Sequence, residues 1–345
     1  MVKPPLHFLL TARARTLSVL EVARMSDEDA FALFKRLRWG DREEVACPRC
    51  GLVHKHYFIQ TRRIWKCAGC RETFSVTSGT VFASHKLPLK TYLAAVALFT
   101  NAVKGISALQ LARDLGVQHK TAFVLSHKIR ESLMVHQDDS PLSGEVEIDG
   151  AYVNGHVRPM NKKADRVDRR LAENQNPDKR CVLVIRENHP AEACKDGFQG
   201  AKRTLTMVIE KECQSVMAKL APRYIVPGSR VSADEADAYD PLHAKYDMRR
   251  VNHGQEYRAD DGTTNNQAES FFSRFRRMQL GQHHKFGVMH LAAYANEAAY
   301  REDTRRQSNG VIFMDIVSKC TRTLVSRNWC GYWQGNRRLQ ELLAA

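Results

Sequence analysis

No stretch of this chain is apolar for long enough to cross a bilayer. The longest apolar run, around Leu93 to Phe99, falls far short of the roughly 20 residues a spanning helix requires. No Arg-flanked apolar signal with a cleavage site opens the sequence, so a soluble, cytoplasmic protein without a membrane partner is expected. Internal repeats and low-complexity tracts are also lacking, which excludes a solenoid or a compositionally biased polymer. An even, regularly spaced cysteine framework is missing as well. Of nine cysteines, four cluster and five (Cys181, Cys194, Cys213, Cys320, Cys330) lie singly. The odd count favours metal ligation over cross-linking, and the scattered five read as core or incidental thiols.

Acidic residues are in deficit: 38 Asp and Glu stand against 53 Lys and Arg, a formal charge of +15 with pI near 9.5. That imbalance points to a polyanionic partner, with nucleic acid first and an anionic membrane second. At 345 residues the chain has room for two or three domains, and so for a binding module beside a catalytic one.

Ser26 before Asp27, Glu28 and Asp29 is an N-cap signature, and Ala30, Leu33, Phe34 and Leu37 follow at helical spacing. This N-terminal helical segment is assigned to residues 1–43. Residues 44–83 then change character. Short β-prone stretches at Lys55–Gln60 and Arg63–Lys66 alternate with the turn formers Gly51, Gly69 and Gly79. Cys47-Pro48-Arg49-Cys50 and Cys67-Ala68-Gly69-Cys70 form two knuckles with two residues inside each. Two such knuckles close a tetrahedral all-thiolate site, the geometry zinc accepts most readily, so a structural Zn²⁺ on Cys47, Cys50, Cys67 and Cys70 is expected. His54, His56 and His85 are read as surface residues, since four thiolates already satisfy the ion. Arg49, Lys55, Arg62, Arg63, Lys66 and Arg71 bias the ribbon toward phosphate.

From Leu89 to about Leu133 the pattern is helical. The run Ile106 to Val117, its Gly116 turn, and Gln118 to Ile129 match a helix-turn-helix layout within a region 84–140. An ordinary helical hairpin fits the same pattern. In the first reading Gln118, His119, Lys120 and Thr121 open the DNA-recognition helix.

Beyond Ser140–Gly144 the chain turns α/β. Val146 and Ile148 alternate against Glu145, Glu147 and Asp149, which puts the three acids on one strand face. Further strands are predicted at Cys181–Arg186, Arg203–Ile209, Arg230–Ser232 and Met248–Asn252. Helices are predicted at Glu212–Leu220 and from about Asn265. The basic run Lys162–Arg180 reads as a hairpin loop or a disordered insertion, and as a solvated face before a DNA contact. The tail 309–345, with Trp329, Trp333, Arg337 and Arg338, fits either a packing helix or an interaction arm.

Cleaving or transferring a phosphodiester with divalent metal needs carboxylates converging on a pair of ions, and Mg²⁺ prefers such hard oxygen donors. Asp149 lies on the first strand of the α/β region, Asp234 follows a later strand, and Glu269 sits 35 residues on in a helix with Ala268, Phe271, Phe272 and Phe275 as its buried stripe. Glu147, Glu235 and Asp237 are neighbours open to being mistaken for the ligands, and alternation, which puts Glu147 on the face of Asp149, does not exclude Glu147.

Glu147 to Gly155, Val231 to Tyr239, Arg250-Val251-Asn252-His253 and Asn265 to Arg277 resemble the ISXO-like DDE transposases of bacterial insertion sequences. The resemblance spans about residues 45 to 305. It implies a ribonuclease-H-like mixed sheet with flanking helices over 141–308, preceded by the small β zinc ribbon and the helix-turn-helix-like region. It places the catalytic triad on Asp149, Asp234 and Glu269, holding Mg²⁺ or Mn²⁺. Family members often carry Lys seven positions after the last acid, where this chain has Arg276, so the charge is kept while the contact geometry changes. Arg274, Arg277 and His284 are the further DNA-contact candidates. The resemblance implies double-stranded DNA as partner, namely element ends and target, bound by a dimer or larger assembly in the nucleoid. The rivals are a non-catalytic DNA-binding regulator descended from a transposase, and a zinc-ribbon nuclease that never joins ends.

Overall fold

The computed structural model describes residues 7–190, 200–251, 264–332 and 340–344. Two compact units emerge, Met1–Gln137 with Thr304–Leu339, and Asp138–Asp303 with Gln340–Ala345. Asn252, His253, Cys194, Trp333, Arg337 and Arg338, all singled out in the sequence, lie outside the described residues.

In the first unit a short helix α1 (Val19–Arg24) carries a capping box in which Ser18 and Glu21 satisfy each other's ends. The helix α2 (Asp27–Trp39) starts where the sequence places it: Ser26 Oγ accepts the Asp29 N–H at 3.0 Å, and Gly40 ends the helix at φ +79°. The ribbon follows as an antiparallel pair, β1 (Val45–Ala46) with β2 (Val53–His54), and a three-stranded sheet of β3 (Tyr57–Ile59), β4 (Ile64–Lys66) and β5 (Thr73–Phe74). Because a ribbon this small has little core of its own, α2 supplies one. Phe31 stacks on Trp65 with centroids 5.5 Å apart, and Trp39 meets the same ring edge-on at 5.4 Å.

Three helices follow, α3 (Leu89–Asn101), α4 (Ala108–Leu115) and α5 (His119–Val135). Ser107 caps α4 by accepting the Gln110 N–H, and Gly116 ends it in the left-handed region at φ +64°, a conformation a side chain would strain. The helix Asn309–Arg322 returns to this unit and packs against α2, α3 and α5. Its first residue is a fastener: Asn309 Oδ1 accepts the N–H groups of Thr16 and Leu17 at 2.8 and 2.9 Å, and its amide donates to Leu17 O and Asn101 Oδ1. Nearby, Val81 N–H donates to Thr323 O at 2.8 Å. Trp329 is buried, with its ring stacked on His127 at 4.5 Å.

The second unit is a five-stranded mixed sheet of β6 (Glu145–Val153), β7 (Arg180–Asn188), β8 (Ala201–Ile209), β9 (Arg230–Asp234) and β10 (Asp247–Val251), in the order β10-β9-β6-β7-β8. The first three strands run antiparallel in sequence, while β9 and β10 run parallel to β6. The strands alternate between two cores. Val146, Ile148, Leu183, Ile185, Val231 and Ala233 face α6 (Gln214–Tyr224) and the 3₁₀ segment Asp237–Ala244. Ala151, Val153, Val182, Val184 and Val208 face α7 (Asn266–Met278) and α8 (Leu291–Thr304), meeting Phe271, Phe272 and Phe275. Helices thus cover both faces of the sheet, as a buried mixed sheet demands. The basic segment after β6 holds two short 3₁₀ turns, Lys163–Asp165 and Ala172–Asn174, and is largely exposed.

Candidate active site

The ribbon brings its four sulfurs within 4.8 Å of one another, with Cys47 and Cys70 Sγ at 3.8 Å and Cys50 and Cys67 Sγ at 3.6 Å. Each knuckle is shaped by its backbone. Cys47 N–H donates to Leu52 O at 2.9 Å and Cys67 N–H to Glu72 O at 2.8 Å, and the residues that follow the second cysteines, Gly51 and Arg71, both have positive φ. The donor set is the one tetrahedral zinc takes, so the cluster and its ribbon support a structural zinc. His54 is exposed as expected, but His56 corrects the surface reading: it is 5% exposed. Its Nδ1 accepts the Ala68 N–H at 3.1 Å, which leaves the ring proton on Nε2 facing Leu52 O at 3.2 Å. One imidazole therefore joins the two knuckles. Spacing shows which residues reach the ion and says nothing of what lies beneath them.

In the second unit the pleat decides which acids meet. On β6 the residues Glu147 and Asp149 share the face of Ala151 and Val153, the face covered by α7. On β9, Val231 and Ala233 point the other way, leaving Ser232 and Asp234 on that same α7 side. The parallel register pairs Val146 with Val231 and Glu147 with Ser232, and two residues further along it Asp149 stands beside Asp234. Both are half-buried, at the point where pairing between the strands ends. Glu269 comes from the first turn of α7, whose buried stripe Ala268, Phe271, Phe272 and Phe275 holds the helix against β6 and β7.

The electrostatics record this convergence. Burial pushes the Asp149 carboxyl up to about 7, and the charges of Asp234, Glu212 and Glu269 add to it, opposed by the Gly150 N–H donating to Asp149 Oδ1 at 2.8 Å. A carboxylate held among carboxylates wants a cation. Among the described residues the four cysteines are the one group of three or more donors already drawn together closely enough for an ion, so the acids form an open set. Two features fit a hard divalent cation there. The donors are carboxylate oxygens. The side chain of Asn265, just before α7, is 1% exposed, and neither Oδ1 nor Nδ2 has a hydrogen-bond partner among the described residues, which a hydrated ion or a phosphate oxygen would provide.

Glu212 was not foreseen. It precedes α6, receives the Tyr239 hydroxyl, and has its own carboxyl pushed up by burial, with Tyr239 opposing and Asp234 adding. A Cβ at position 150 would come within 2.7 Å of Glu212 Oε1. Alternation puts that direction on the face opposite Asp149, so Glu212 lies behind the strand and Gly150 is the opening that admits it. The only sequence signal was a glycine inside a strand.

The other candidate acids separate. Glu235 and Asp237 are exposed. Glu147 is 1% exposed and accepts hydrogen bonds from Gln267 N–H at 2.7 Å, Ala268 N–H at 2.9 Å and Asn188 Nδ2 at 3.0 Å. Among the basic candidates, Arg276 and Arg277 are exposed on α7, with the Arg276 guanidinium 6.0 Å from the Phe272 ring centroid. Arg274 instead pairs with Glu302 at 2.5 Å, an acid only 8% exposed. His284 is exposed with φ +60°, just past a π-helical turn at Gln279–His283. In the first unit Gln118, His119 and Lys120 are exposed at the start of α5, and Thr121 is half-buried.

A four-cysteine ribbon, followed in the chain by an α/β domain whose carboxylates gather at one strand end, is the architecture this sequence builds. Residues 141–303 match the ISXO2-like transposase domain, and residues 25–73 match the transposase zinc-ribbon domain. Over 301 residues the chain is also 26% identical to an uncharacterized protein in transposable element ISH50 of Halobacterium salinarum, covering 82% of this chain and 93% of that protein. Both matched segments are thus transposase domains, one a zinc ribbon and the other ISXO2-like. No described helix is long and apolar enough to cross a membrane.

Proposed function

We propose that this protein is an insertion-sequence transposase that binds the terminal inverted repeats of its element and catalyses metal-dependent DNA cleavage and strand transfer. What carries the reading is that Asp149 and Asp234 lie on the sheet face covered by α7 and that Glu269, on α7, adds its charge to Asp149, all inside the segment matched by the transposase domain. Three antiparallel strands followed by two parallel ones, with helices on both faces, support a ribonuclease-H-like fold for that domain.

Asp149, Asp234 and Glu269 would hold Mg²⁺ or Mn²⁺. Bound there, the ions supply Lewis acidity to the attacking and leaving oxygens of an in-line displacement. The chain's own part is placement. Two strands fix the aspartates, and α7 brings Glu269 to them while presenting Arg276 two turns along, where its guanidinium would take a phosphate oxygen. Hydrolysis of the phosphodiester at an element end leaves a 3′-hydroxyl. That hydroxyl then displaces a target phosphodiester oxygen, forming one bond as the other breaks. Gln118, His119, Lys120 and Thr121, with Arg277 and His284, would contact DNA, and joining two ends requires a dimer or larger assembly.

Purified protein, DNA carrying the element's ends and a target plasmid test this with Mg²⁺, with EDTA, and with Asp149→Asn. Joined products that need metal and vanish in the variant are expected. Cleavage without joining would leave a nuclease, and binding without cleavage a DNA-binding regulator.

A further inference from the structure

The buried acid Glu147 has no place in the proposed chemistry, yet it touches the helix that carries the third carboxylate. The first N–H groups of any helix lack partners within it, and a side chain at the N-cap commonly accepts one. In α7 the N-cap residue Asn265 makes no such bond. The N–H groups of Gln267 and Ala268 go instead to Glu147, more than a hundred residues earlier on β6. The same peptide group is held from its other side. Arg186, the cross-strand partner of Glu147, donates from Nη1 to Gln267 O at 2.5 Å, and its Nε is anchored on Thr204 Oγ1 at 3.1 Å. Asn188 braces the Glu147 carboxylate from β7.

Gln267 is thus clamped at both its N–H and its carbonyl by a pair of residues on the two central strands. Glu147 lies two positions before Asp149 and grips α7 two positions before Glu269. The apolar stripe of α7 presses the helix onto the sheet without direction, since burial tolerates a slide or a rotation. Hydrogen bonds to a single peptide do not tolerate one. We infer that Glu147 is a positioning residue, which with Arg186 sets the rotation and height of α7 and so the place of Glu269 relative to Asp149. This rests on the proposal that Asp149, Asp234 and Glu269 form a divalent-metal site.

The test uses the full-length, zinc-loaded protein and reads Mn²⁺ binding by electron paramagnetic resonance, with DNA cleavage as a second readout. Glu147→Gln keeps the shape and removes the charge. It is expected to weaken Mn²⁺ binding about tenfold or more, as loss of a residue supporting a ligand does. It should also speed hydrogen exchange at the Gln267 and Ala268 amides and leave cleavage partly rescued by high Mn²⁺. Leu205→Val, a core change on the far face of the sheet, should lower the melting temperature without moving the Mn²⁺ affinity. If Glu147→Gln does not fold, Asn188→Ala removes the brace and should weaken Mn²⁺ binding roughly threefold, a milder loss of the same kind. Unchanged Mn²⁺ affinity in the folded variant overturns the positioning role alone. Mn²⁺ binding that Asp149→Asn fails to reduce overturns the metal-site reading and the positioning role with it.

Discussion

At Asp149 one carboxyl answers to three others, and the metal-free protein should register that as instability. Burial and the neighbouring charges raise its folded pKa to about 7 from an ordinary 3.8. A folded state that resists ionisation is favoured at low pH. The benefit is complete below about 4, declines as pH rises toward 7, and is gone above it. Asp149→Asn should therefore stabilise the metal-free protein at pH 8 by about 1–3 kcal/mol and do little at pH 4, read by chemical denaturation at both. Equal stability of the two proteins at pH 8 would remove the electrostatic account. Behind the same strand, Gly150→Ala should cost about 1–3 kcal/mol through overpacking against Glu212. Glu212→Ala should recover most of that in the double variant, and additive costs would mean the two positions do not interact. His56 gives the third residue-scale expectation. Its replacement by Ala should speed zinc loss to a chelator about tenfold or more, whereas a ring outside the zinc site's support would leave the rate as it is. Neither Glu147 nor His56 was legible in the sequence as a structural support, because a cap and a clasp are defined by partners distant in the chain. Periodicity reports faces and spacing reports ligands. Neither reports what a buried polar atom bonds to.

At the level of elements the sequence was more informative. The cysteine spacing located the ribbon, and the stripe Ala268, Phe271, Phe272 and Phe275 located α7 and its buried face. Strand alternation correctly put Glu147 and Asp149 together. It under-measured the strands, since β6 runs to Val153 and β7 to Asn188, where small and polar residues break the apolar pattern while pairing continues, with one register shift between Glu187 and Asn188. The α4-turn-α5 segment carries an expectation of its own. His119 and Lys120 are exposed at the start of α5, so replacing both with Ala should weaken binding to the element's terminal repeats and lower the salt dependence by about one counterion. An unchanged affinity and salt slope would leave α4 and α5 as an ordinary helical hairpin.

For the molecule as a whole, the first unit is assembled from distant parts of the chain, Met1–Gln137 and Thr304–Leu339. Asn309 fastens Thr16 and Leu17, and Thr323 receives the Val81 N–H. During synthesis the ribosome must therefore make Asp138–Asp303, nearly all of the second unit, before the first can be finished. At roughly 5–20 residues per second that delay is on the order of 10–30 seconds. The module expected to read DNA ends would mature last, after most of the domain expected to cut them. A messenger broken just after codon 303 would yield a chain with all five sheet strands yet short of the pieces that complete the ribbon-bearing unit, and so poorly equipped to deliver any cutting activity to an end.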